Sequence, residues 1–114
     1  MKTQPPARSE LVGEQEPPPP SFAETLAACL VAYLPEGYPH IELAADISGL
    51  KVRTLQRQLR AEGSTYSEVV DRARCRAALA WLRDSDIGLA ELSLELGYSE
   101  QSAFSRAFRR WTGT

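Results

Sequence analysis

The chain is 114 residues long, 43% apolar and 25% charged, ordinary proportions for a soluble globular protein with room for one or two small cores. Its net charge of −2 hides a division: residues 1–50 carry two bases against seven acids, whereas residues 51–114 carry eleven bases against eight acids. No apolar run approaches the roughly 20 residues of a membrane span and no signal-peptide core follows Met1, so a cytoplasmic, reduced protein without a membrane partner is expected.

Residues 1–20 are polar and end in the run Pro17-Pro18-Pro19-Pro20, which favours an extended backbone and offers nothing to bury. A disordered Pro-rich linker is expected there, with a proline-recognition ligand as the alternative. Ser21-Phe22-Ala23-Glu24 fits a capping box at a helix start. Phe22, Leu26, Cys29, Leu30 and Tyr33 follow helical spacing, and Pro35 with Gly37 is expected to stop that helix. Ile41 to Ser48 reads as a short helix broken at Gly49, and Lys51 to Ala61 as the next, with Gly63 closing it.

Thr65-Tyr66-Ser67-Glu68 is a second capping box, opening a long helix to about Arg83 with Tyr66, Val69, Val70, Ala73 and Ala77 along one stripe. Gly88 is expected to cap a helix running to about Leu96. After Gly97-Tyr98, residues 99–111 read as helical, with Ser99 as the N-cap. No segment shows a strand pattern. Cys29 and Cys75 lie alone in helical patterns, without zinc-ligand spacing, and are expected to be buried as small hydrophobes. His40 is the only histidine, which argues against a catalytic triad or a His-rich metal site.

Two of these stretches repeat. Gly49-Leu50-Lys51 and Gly97-Tyr98-Ser99 each lead into a basic amphipathic segment, closing at Gly63 and Gly113. The glycines recur at 48 residues and the apolar pairs Leu55/Leu59 and Phe104/Phe108 at 49, a duplication with a one-residue slip. The arrangement is all-α: two helix-turn-helix units, about 22–63 and 87–114, joined by a linker helix over about 65–84.

With Leu55 and Leu59 inward, Arg53, Gln56, Arg57 and Arg60 line the outer face of the first basic helix, with Lys51 at its start. The major groove of B-DNA admits a helix, where Arg pairs bidentately with guanine and Gln with adenine. In the second unit the same phase turns Ser102, Ser105, Arg106 and Arg109 outward, with Glu100 and Gln101 at the helix start. Arg57 corresponds to Arg106 and Arg60 to Arg109, whereas Arg53 and Gln56 become the shorter Ser102 and Ser105. Phe104 and Phe108 lie on the inward stripe and read as core rather than as base-stacking groups.

The stretch Leu92-Ser93-Leu94-Glu95-Leu96-Gly97-Tyr98-Ser99-Glu100-Gln101-Ser102-Ala103-Phe104-Ser105-Arg106-Ala107-Phe108 resembles the second-repeat signature of AraC/XylS-family bacterial transcription regulators. Val52-Arg53-Thr54-Leu55-Gln56-Arg57-Gln58-Leu59 is similar to the family's first recognition helix, and the resemblance covers about residues 22–114. It implies a seven-helix, homeodomain-like pair of units whose recognition helices enter successive major grooves on one face of bent double-stranded DNA. Base contacts would fall to Arg53, Gln56 and Arg57, and to Gln101, Ser102 and Arg106. The resemblance also implies an accompanying sensor or dimerisation domain, expected to lie outside this chain, and RNA polymerase as a partner of activators.

Three departures stand out. Lys51 replaces a usual capping Ser, and Ser93 replaces a usual Ala. Thr114 falls where the family continues into a proline-containing turn and a last helix, so a fragment of a longer regulator with a truncated, frayed second unit is expected. The competing reading is a helical protein-interaction or inhibitory fragment with weakened DNA binding. No metal-ligand spacing, activated nucleophile or phosphate-cradling glycine loop is present, so neither an enzyme nor a cofactor is expected.

Overall fold

Ser21 starts the first helix, α1 (Phe22–Leu30), through the capping box read from the sequence. The Ser21 hydroxyl accepts from the Glu24 amide at 3.1 Å, and the Glu24 carboxylate accepts from the Ser21 amide at 3.2 Å. These elements are those of a computed structural model, which describes residues 19–113. The linker expected over residues 1–20 therefore lies outside the described residues, except for Pro19 and Pro20.

α1 buries Ala23, Leu26, Ala27 and Leu30. Cys29, expected inside, is exposed. The two small alanines carry the inward face, and at 3.6 residues per turn Cys29 falls about a third of a turn from its centre. Cys75 is half-buried rather than buried, and burial, then Asp71, push its thiol pKa up. From Val31 the chain tightens into a 3₁₀ segment, Val31–Glu36, which carries Pro35 and ends at Gly37. Residues three apart eclipse in a 3₁₀ helix. Val31 and Leu34 thus face the core, while Tyr33, expected on the inward stripe, turns out with 36% exposure.

α2 (Ile41–Ser48) ends at Gly49, whose φ of +68° lets the Leu50 amide donate to the Ala45 carbonyl at 3.0 Å. α3 (Val52–Ala61) follows and buries Leu55 and Leu59. The Ser64 amide closes it on the Leu59 carbonyl at 2.9 Å.

The long helix α4 (Tyr66–Asp84) opens with the second capping box, Thr65 and Glu68 exchanging bonds of 3.1 and 3.3 Å. Over 19 residues it spans about 28 Å at 1.5 Å per residue. Val69, Val70, Ala73, Ala77 and Ala78 form its buried stripe, packed against α1 and the 3₁₀ segment. Tyr66 is half-buried at the edge of this stripe and donates to the Pro39 carbonyl at 2.5 Å. Burial pushes its pKa from 10.0 to about 12, with Tyr38 and Glu42 adding to the rise. The folded state therefore favours the neutral phenol, and that contribution is complete below pH 10.0 and lost as pH rises through about 12. In denaturant titrations between those pH values, Tyr66→Phe is expected to flatten the fall in stability; an unchanged fall would mean that Tyr66 does not titrate as the fold implies.

α5 (Leu89–Glu95) starts from Gly88 and buries Leu92 and Ser93, and α6 (Gln101–Thr112) buries Phe104 and Ala107. The N-cap of α6 is Glu100, not the expected Ser99, and neither Glu100 nor Lys51 makes a side-chain capping bond. This places the one-residue slip of the duplication: Gly49 lies two residues before its N-cap, Gly97 three. Tyr98 packs against the core, its ring 5.7 Å from that of Phe104. Phe104 also meets Phe108 at 5.8 Å and Trp111 at 6.4 Å, and such pairs contribute about 0.5–1.5 kcal/mol each beyond area burial.

Where fraying of the second unit is expected, α6 is regular to Thr112. Asp71 of α4 accepts from Arg110 Nη2 at 2.8 Å and Trp111 Nε1 at 3.1 Å, tying down its last turn. A single buried cluster runs from Ala23 of α1 to Phe104 of α6, so the two units share one core. The described residues are all-helical and contain no strand.

Candidate nucleic-acid interface

With Leu55 and Leu59 turned fully inward, the opposite face of α3 carries Arg53, Gln56, Arg57 and Arg60, all exposed, and Lys51 is exposed at its start. No acid interrupts the helix. The first acid beyond it, Glu62, is turned away: its carboxylate accepts from the Phe22 amide at 2.9 Å and the Ala23 amide at 3.0 Å. A carboxylate at a helix N-terminus is favoured by the orphan amides and the dipole there. The contact fixes the end of α3 against α1 and removes a negative charge from the basic face.

On α6, Gln101, Ser102, Arg106 and Arg109 are exposed and Ser105 is half-buried. Phe104 is buried and Phe108 half-buried against the core, as core side chains rather than stacking groups. Ser102 Oγ lies 3.4 Å from Glu100 Oε1, which further shortens its reach. Ser93 is buried, 2% exposed.

The two basic faces share an electrostatic feature. Ion pairs among the described residues join Arg83 to Asp84 and Arg110 to Asp71. Arg53, Arg57, Arg60, Arg106 and Arg109 make no ion pair and no side-chain hydrogen bond among those residues, so their guanidinium donors face solvent. A stripe committed to surface ion pairs would have its charge locally cancelled; this one does not.

Three residues that organise the faces were not singled out from the sequence. Besides Glu62 and Asp71, Arg74 of α4 donates from Nε to the Leu96 carbonyl and from Nη2 to the Gly97 carbonyl, both at 2.9 Å. Its guanidinium lies 3.9 Å from the centre of the Tyr98 ring and 5.3 Å from that of Tyr38. Burial pushes the Tyr98 pKa up, against the opposing charge of Arg74. One signal was available: Arg74 follows the buried Ala73 on the inward edge of α4, a place where a charge needs dedicated partners.

The helix-turn-helix domain family model matches residues 44–114 of this chain. HTH-type transcriptional regulator VqsM of Pseudomonas aeruginosa is 44% identical over 80 residues, covering 70% of this chain and 25% of that protein. HTH-type transcriptional regulator VirS of Mycobacterium tuberculosis is 35% identical over 107 residues, 94% of this chain and 32% of that protein. The crystal structure of transcriptional regulator CdpR from Pseudomonas aeruginosa superposes with a TM-score of 0.67 at 34% identity, covering 93% of this chain and 32% of that one. The chain thus spans about a quarter to a third of the length of the proteins it matches. No described helix is long and apolar enough to cross a membrane. Two helix-turn-helix units on one core, the family match over residues 44–114 and these relatives together establish that the chain belongs to the AraC-type helix-turn-helix family.

Proposed function

We propose that the chain is a sequence-specific, double-stranded DNA-binding module of a transcription regulator, reading two successive major grooves with α3 and α6. The observation that carries this reading is the set of five exposed, unpaired arginines on two helices that contain no acid. Residues about 22–63 and 87–114 are then the two reading units, and α4 is the spacer. Arg53, Gln56 and Arg57 supply base contacts from α3, and Gln101, Ser102 and Arg106 from α6, with Lys51, Arg60, Ser105 and Arg109 beside them toward the phosphates. The regulator names of the relatives support the same reading.

The test is fluorescence anisotropy with duplex DNA over a salt series. If about four of these cations reach phosphates, log affinity falls linearly against log salt with a slope of about −4. Affinity indifferent to salt would remove the reading.

The two helices are expected to contribute unequally. α3 presents long donors beside Arg57, whereas α6 presents short serines beside Arg106. Against an operator selected from random duplexes, Arg57→Ala is expected to cost about 1–3 kcal/mol and relax one base position, and Arg106→Ala less. Specificity lost with Arg106→Ala but kept with Arg57→Ala would reverse the ranking.

A further inference from the structure

The two units share one core, and beside it they meet again at the surface. Between them lies a cleft of 540 Å³ lined by residues of the 3₁₀ segment on one side and of the Gly97 turn on the other, with Arg74 also in its lining. An open cleft contributes no packing to hold an angle. Besides the shared core and the Asp71 bonds to Arg110 and Trp111, the ties at this cleft are the close approach of Gly97 to the Leu34 and Gly37 carbonyls and the side chain of Arg74. That side chain reaches both units: its donors grip the Leu96 and Gly97 carbonyls of the second, and its guanidinium carbon lies 3.9 Å from the ring centre of Tyr98 of the second and 5.3 Å from that of Tyr38 of the first.

The planar, forked guanidinium suits this junction for a specific reason. Two donors held in one plane fix rotation as well as distance, and the faces of that plane remain for the aromatic rings. A lysine ammonium would restore the charge without the fork. The two carbonyls it grips terminate α5 and form the turn into α6, so displacing them swings α6 relative to α4 and hence relative to α3.

We infer that Arg74 is a positioning residue that fixes the angle between the two basic helices and thereby the half-site spacing the protein accepts. The angle follows from the junction alone; the spacing rests on the DNA-binding reading above. Arg74 touches no base in this scheme. It acts through the Gly97 turn, and Tyr38 completes the clamp from the first unit.

The experiment measures the junction with and without DNA. In the full chain, with Cys29→Ser and Cys75→Ala as background, spin labels are placed at Gln58→Cys on α3 and Thr112→Cys on α6. Electron–electron distance measurements are expected to show one narrow population, broadened or shifted by Arg74→Ala and Arg74→Lys. Tyr38→Ala, at a position 42% exposed, is expected to broaden it in part while keeping its helical circular dichroism, and it decides the matter if the Arg74 variants lose theirs. Unchanged distances in folded variants would overturn the clamp.

Unlabelled protein is then titrated with duplexes whose half-sites are moved by about 2–3 bp, a rotation of roughly 70–100° about the DNA axis. The parent is expected to lose about 10-fold or more in affinity, and Arg74→Ala to bind all spacings within about 3-fold of one another. An equal loss at every spacing would mean that Arg74 only stabilises the fold, and would overturn its role in spacing. Should the parent bind no duplex, the DNA-binding reading falls and the spacing role with it, while the distance measurement still decides the clamp.

Discussion

Gly97→Ala is expected to cost about 3–5 kcal/mol, a large share of the roughly 5–15 kcal/mol that holds a domain folded. Two effects add. Gly97 has a φ of +85°, where an L side chain pays about 1–2 kcal/mol for the left-handed conformation. A Cβ would also stand 2.5 Å from the Leu34 carbonyl oxygen and 2.9 Å from that of Gly37. Both obstacles are backbone, so relief requires moving the 3₁₀ segment away from the turn, which opens the shared core and loosens the contact between Tyr38 and Arg74. Gly49 provides the control: it has a φ of +68° with nothing within 4 Å of its would-be Cβ, so Gly49→Ala is expected to cost only about 1–2 kcal/mol. Denaturant midpoints of the two variants measure the difference. Equal losses would show that the turn and the 3₁₀ segment are not in contact in solution.

The second large effect concerns DNA. If both units bind and the core holds them at a fixed angle, their half-sites lie about 10 bp apart, one helical turn. Inserting about 5 bp turns one half-site to the far side of the duplex, beyond what a rigid protein can follow. Specific binding exceeds nonspecific binding by about 4–10 kcal/mol, so losing one unit should cost about 2–5 kcal/mol, provided that the two share it comparably. The smaller end is expected if α3 dominates, as the contrast between Gln56 and Ser105 implies. A gel-shift assay with the two operators reads it out. Affinity unchanged by the insertion would mean that one unit alone engages DNA, leaving α6 without the role proposed for it.

Much of the fold and of the basic faces was legible in the sequence because the signals are local. A capping box is settled by residues three apart, and Ser21/Glu24 and Thr65/Glu68 both form as read. The outward phase of Arg53, Gln56, Arg57 and Arg60 follows from Leu55 and Leu59 alone. Local reading failed where small residues or a change of helix type moved the inward face. Ala23 and Ala27, rather than Cys29, carry the buried side of α1, and the 3₁₀ period brings in Leu34 in place of Tyr33.

The sequence by itself therefore determined the all-helical class, the duplicated helix-turn-helix pattern and which arginines stand on the outer faces. These depend on periodicity, caps and turns within about four residues of one another. Only the tertiary structure decided which charges are spent on the fold and which stay free. Glu62 caps a helix 39 and 40 residues away, Asp71 holds Arg110 and Trp111 at the same range, and Arg74 grips carbonyls 22 and 23 residues on. It also decided that Gly97 and Gly49, equivalent in the repeat, differ in kind, because one turn lies against another backbone and the other faces open space. A charge or a glycine acquires that meaning from the groups within hydrogen-bonding or van der Waals reach, and at those sequence separations only the packing of α4 between the two units brings them there.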